Sequence, residues 1–127
     1  MGERPGDIVQ TYLKLMEARD LDAASGYLAD DVTIVFPGGR TFTSLAEQVA
    51  SSAGRFGRVT KTFESVDVLP GPDHDIVYVL GTLSGEAIDG SAFEGIRFID
   101  RFELVGGRIA AQFVWNDLAE SGVLERR

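Results

Sequence analysis

The stretch FEGIRFIDRFELVGGRIAAQFVWND, residues 93–117, decides the fold. Two alternating runs flank Gly106-Gly107, a dipeptide suited to the positive φ angles of a two-residue hairpin turn. Because successive strand side chains point to opposite faces, the first arm places Ile96, Phe98, Asp100, Phe102 and Leu104 together, with Arg97, Arg101 and Glu103 on the reverse. A carboxylate in the middle of an apolar strand face is costly to bury without a partner. The second arm, read in one phase, groups Ile109, Ala111, Phe113 and Trp115 on a face that ends at Asp117. If both faces look inward, Asp100 and Asp117 look inward with them, and function is expected there.

Upstream, alternating or apolar runs from Val59 to Leu69 and from Ile76 to Ala87 read as two more long strands, separated by Pro70-Gly71-Pro72-Asp73. The Asp89-Gly90 turn leads into the hairpin, whose last strand is expected to reach Leu118. Val32 to Phe36 is a shorter strand, stopped by Pro37-Gly38-Gly39. Three helices complete the pattern. Asp7 is offered as the N-cap of the first, whose stripe is Ile8, Val9, Tyr12, Leu13, Leu15 and Met16. Tyr12 lies near the middle of that stripe, so its ring should be buried and its hydroxyl should need a partner. The second starts near Asp20 or Asp22 and ends at Asp30-Asp31. Thr43 or Ser44 caps the third, with Glu47 in the capping-box position. Helix, helix, strand, helix and then four long antiparallel strands imply an α+β architecture, a curved sheet with helices on one face and a pocket at its mouth.

Composition removes several classes of function. With 127 residues, residues 1–127 read as a single domain. The formal charge of −8 argues against a nucleic-acid partner, and Lys and Arg are scattered along the chain. No apolar run approaches the ~20 residues of a membrane span, and the opening MGERPGDIVQ has no secretory h-region. There are no cysteines. A cytoplasmic location without membrane contact is expected. His74 is the only histidine, so neither a metal nor another cofactor is expected. No triad, phosphate loop or dinucleotide fingerprint is present.

The opening IVQTYLKLMEARDLDAASGYLADDVTIVFPGG, with FIDRFELVGGRI and WNDLAESGVL, resembles the NTF2-like superfamily, in particular its ketosteroid isomerases and SnoaL-like polyketide cyclases. The resemblance covers nearly the whole chain. It implies an NTF2-like cone, a curved mixed or antiparallel sheet with three N-terminal helices packed on its concave face, and a homodimer through the sheet. It also implies that Tyr12 occupies the place of the oxyanion-hole tyrosine and Asp100 that of the protonated aspartic acid sharing its role. The isomerases' catalytic base immediately precedes the first-strand proline, where this chain has Phe36 before Pro37. Asp117 is then the substitute base, since many SnoaL-like proteins carry an acid near the end of the last strand.

The expected site therefore has Tyr12, Asp100 and Asp117 as catalytic groups, with Phe36, Phe98, Phe113 and Trp115 lining a pocket for a small apolar cyclic molecule. The chemistry this suggests is cofactor-free proton transfer of the isomerase or cyclase type. The alternative is a ligand-binding or structural dimeric domain without turnover, in which Asp100 orders the core.

Overall fold

A computed structural model of the chain describes residues 3–127. Helix α1 (Pro5–Glu17) and helix α2 (Leu21–Ser25) precede strand β1 (Leu28–Phe36). A 3₁₀ turn at Pro37–Gly39 leads into β2 (Arg40–Phe42), and helix α3 (Leu45–Ser52) follows. The rest is β3 (Arg58–Leu69), β4 (Asp75–Glu86), β5 (Ala92–Val105) and β6 (Arg108–Asn116), closed by a short 3₁₀ turn at Val123–Glu125. One six-stranded sheet runs β2-β1-β6-β5-β4-β3. It is mixed: β1 lies parallel to β6, and every other pair is antiparallel.

The α+β class and the antiparallel meander of β3 to β6 agree with the sequence reading. The helix positions need correction. Two helices precede the sheet, and the third follows a hairpin of β1 with β2, a strand absent from the sequence reading. That hairpin turns on Gly38 and Gly39, at φ 84° and 80°. The Asp30-Asp31 pair does not end α2; it lies inside β1, which begins at Leu28. Helix α1 begins at Pro5 with Arg4 as its N-cap, so Asp7 sits in the first turn instead. Proline is pre-organised for the first helical position, which explains the earlier start. Asp20 caps α2 by accepting from the Ala23 amide at 3.3 Å. Ser44 caps α3 by accepting from the Glu47 amide at 3.2 Å, and Glu47 accepts in return from the Thr43 amide at 2.9 Å.

The sheet's inner face carries the core. Val77, Val79 and Leu83 of β4 and Phe98, Phe102 and Leu104 of β5 pack with Ile8, Val9, Tyr12 and Leu13 of α1. Glycine is required at Gly81, where the ladder between β3 and β4 shifts register. A Cβ there would stand 1.8 Å from the Thr62 carbonyl oxygen. Such irregularities bend and twist a strand, which lets a long sheet curl over its helices.

A second bulge decides which side chains reach the interior. Between β5 and β6, Glu103 faces Ala111 while Leu104 faces Ile109, so Ala110 is an extra residue on β6. One inserted residue reverses the alternation of everything beyond it. Ile109 points inward, but after the bulge Gln112 and Val114 are the buried residues, while Trp115 is 51% exposed. The single-phase reading of Ile109 through Trp115 as one face is thereby corrected.

Candidate functional site

A cavity of about 480 Å³ opens between the inner face of the sheet and the helices. Its wall is built from Tyr12, Met16 and Glu17 of α1, Gln48 and Val49 of α3, Val59 and Lys61 of β3, and Gln112, Val114 and Asn116 of β6. Phe36, Leu21, Phe56 and Leu124 add apolar surface. Phe36 meets Phe42 edge-on at 5.7 Å.

Asp100 lies immediately behind this wall. It is fully buried, with Val79 and Val114 beside it on the neighbouring strands and Phe98 and Phe102 on the same face of β5. Its Oδ2 accepts from the Lys61 ammonium, and its Oδ1 has no hydrogen-bond partner among the described residues. Burial pushes the Asp100 carboxyl above the ordinary carboxylate range, and the Lys61 charge opposes that rise without cancelling it. Lys61 reaches Asp100 from β3, its Nζ 4.8 Å from the centre of the Phe98 ring. Unlike Asp100, it lines the cavity.

Tyr12 is the second buried polar group. Its ring meets Phe102 edge-on at 6.2 Å, and the residue is 1% exposed. The hydroxyl has no hydrogen-bond partner among the described residues. Burial first, and the negative charge of Asp100 second, push its pKa above the ordinary phenol value, so it stays a proton donor. A buried donor left unmade is costly, and this one belongs to a residue on a cavity wall.

The chain matches the SnoaL-like domain family over residues 9–112. It belongs to that family. No curated protein is similar enough in sequence to match. Among solved structures, an NTF2-like protein from Burkholderia pseudomallei has 20% identity and a TM-score of 0.78, over 96% of this chain and 98% of that one. TerC, co-crystallised with polyporic acid, gives 16% identity and a TM-score of 0.78 over 98% and 100% of the two chains. A protein of Shewanella putrefaciens assigned as a SnoaL-like polyketide cyclase gives 12% and 0.76, over 98% and 88%. These likenesses establish the NTF2-like fold.

Within this SnoaL-like domain the expected site residues separate. Tyr12 and Phe36 lie on the cavity wall. Asp100 and Phe98 are buried next to it but do not line it. Phe113 and Trp115 are not pocket residues: the bulge at Ala110 sends them to the outer face, where their rings stack at 6.2 Å and the Arg101 guanidinium lies over Phe113 at 5.6 Å. Asp117 is displaced by the same shift. Its Oδ2 accepts from Arg97 Nε at 2.5 Å on that outer side, although its neighbours Asn116 and Leu118 line the cavity.

Several wall residues escaped the sequence reading, among them Lys61, Gln112 and Glu17. Lys61 looked like one of many scattered cations. Gln112 was placed on the wrong face by the unbroken alternation. Glu17, whose Oε1 accepts from the Lys61 amide at 2.6 Å, gave no signal beyond its place at the end of α1. Among the described residues no cluster of three or more His, Asp and Glu side chains could hold a metal ion, and no helix is long and apolar enough to cross a membrane.

The buried pair yields a pH-dependent prediction. A folded pKa above the unfolded one makes stability fullest below the ordinary carboxylate value of about 4, and loses it as pH rises through the raised value. Lys61→Met removes the charge that holds Asp100 down, so it should enlarge this loss. We expect it to cost about 3–5 kcal/mol near neutral pH and clearly less near about pH 4, by urea unfolding. An equal cost at both pH values would contradict the pairing.

Proposed function

We propose that the cavity binds a small, largely apolar cyclic molecule and promotes cofactor-free proton transfer at a carbon next to a carbonyl. The observation that carries this reading is the buried, unpartnered Tyr12 hydroxyl on the wall of an apolar cavity, with the Lys61–Asp100 pair on and behind the same wall. When a C–H bond next to a carbonyl gives up its proton, its electron pair moves onto the carbonyl oxygen. Donors already in place in a dry site stabilise that oxygen most. Tyr12 donates its O–H, and Lys61 donates an N–H. Asp100 acts through Lys61, which is a change from the direct donor role implied by the resemblance.

The proton needs an acceptor. Glu17 is the carboxylate on the wall, so it takes the proton and returns it to another carbon of the same ring system. It replaces Asp117, whose carboxylate is engaged by Arg97. The reading without turnover has one observation in its favour: Phe36 fills the place where isomerases keep their base. In that case the same donors would anchor a ligand carbonyl.

The outer face supports a homodimer. Leu80, Ile99 and Trp115 stand side by side across β4, β5 and β6, and Leu80 and Trp115 are 37% and 51% exposed. A contiguous apolar row in the middle of a sheet suits a second sheet, and an identical one satisfies it by two-fold symmetry.

Two measurements test these readings. Substituted 2-naphthols should bind more tightly as their acidity rises, and Tyr12→Phe should weaken that binding by roughly tenfold. Binding indifferent to both phenol acidity and the substitution would remove the oxyanion site. In sedimentation, the chain should run at twice its 13.7 kDa mass, and Trp115→Glu should shift it toward the monomer. A wild-type monomer would exclude the sheet-to-sheet dimer.

A further inference from the structure

The distribution of charge around the cavity is the reverse of that on the whole chain. Lys and Arg number 12 against 20 Asp and Glu, yet the cavity is bordered by Arg19, Arg40, Arg55, Arg58 and Lys61, with Glu17 the carboxylate among them. Two of these cations are matched, Lys61 by Asp100 and Arg58 by Glu86. Among the described residues, Arg19, Arg40 and Arg55 have no carboxylate within ion-pair distance.

Arg40 is held in place before any ligand arrives. Its Nε donates to the Pro37 carbonyl at 3.4 Å and its Nη1 to Ser51 Oγ at 2.9 Å, while the guanidinium lies over the Phe36 ring at 5.7 Å. Burial, and then the neighbouring charge of Arg55, push its pKa down. Two guanidinium groups that repel one another beside a half-enclosed apolar cavity are relieved by an anion placed between them.

Arg19 adds an independent sign. It closes α1 in a Schellman arrangement, its amide donating to the Met16 carbonyl at 3.1 Å and the Asp20 amide to the Leu15 carbonyl at 3.0 Å. That position is left-handed, at φ 60°, and normally favours glycine. An arginine occupies that strained position, and its side chain borders the cavity.

We infer that the cavity's occupant is a carboxylic acid, a compact ring system seated against the apolar wall with its carboxylate held between Arg40 and Arg55. This rests on the reading of the cavity as a site for a small cyclic molecule and adds the acidic group to it. A single negative charge suits the site better than a dianion, because Glu17 shares the wall and would repel the second charge.

The test compares three probes of one ring system by calorimetry: 2-naphthoate, methyl 2-naphthoate and 2-naphthyl phosphate. 2-Naphthoate should bind roughly tenfold or more tightly than its ester, the gain typical of a charge-assisted hydrogen bond in place of a neutral contact. The preference should shrink as salt is raised. In Arg40→Gln/Arg55→Gln the acid-to-ester ratio should fall toward one, and in Arg40→Lys/Arg55→Lys it should be partly restored. An acid no tighter than the ester, a ratio that survives the glutamine substitutions, or a phosphate that binds tightest would overturn the inference while leaving the cavity reading standing. If neither acid nor ester binds, the cavity reading fails and the inference with it.

Discussion

The carboxyl of Asp100 sits where the chain least favours a charge, among Val79, Val114, Phe98 and Phe102 and out of reach of water. Burying such a group alone costs far more than one hydrophobic contact returns. The structure meets the cost by bringing Lys61 across from β3, and that crossing sets conditions of its own. Gly81 must remain without a side chain where β3 and β4 shift register, because a Cβ there would strike the Thr62 carbonyl. Tyr12 must then tolerate a carboxyl close enough to raise its own pKa. The pair lies on the sheet's inner face and puts one cation on the wall of the cavity. Stability and the proposed site chemistry thus share one pair of groups.

Much of the fold was legible because turn chemistry and alternation agree locally. Gly106-Gly107 does form the hairpin turn, at φ 60° and 79°, and Asp100 does look inward from β5. The limit was the bulge at Ala110. In IAAQF the inserted Ala110 stands beside an identical Ala111, and nothing in the side chains marks it. Every inference past that point inherited the wrong face, so Phe113, Trp115 and Asp117 were assigned to the pocket while Gln112 and Val114 were overlooked. Strand β2 was missed because three residues carry too little periodicity to register. Helix ends were displaced for a simpler reason: Pro5 and Asp7 both offer a start, and the proline is the one used.

The cation cluster shows a different limit. Arg40 belongs to β2, Arg58 and Lys61 to β3, and Arg19 and Arg55 to the connections after α1 and α3, and along the sequence they form no run. They meet only because β3 and the ends of α1 and α3 converge on one cavity. Net charge, which argued against nucleic acid, says nothing about such a local reversal. Membership of the SnoaL-like family fixes the scaffold; the chemistry proposed for it rests on the wall, where Phe36 precedes the first-strand proline and Lys61 carries the charge that meets Asp100.

The proposed site depends on the state of Asp100, and its side-chain carboxyl can be followed directly by carbon-13 NMR as pH is varied. The expected result is titration displaced above that of an exposed aspartate, moving further upward in Lys61→Met. Titration in the ordinary range, unchanged by loss of Lys61, would mean that the carboxyl is neither buried nor paired as described, and the site built upon it would have to be abandoned.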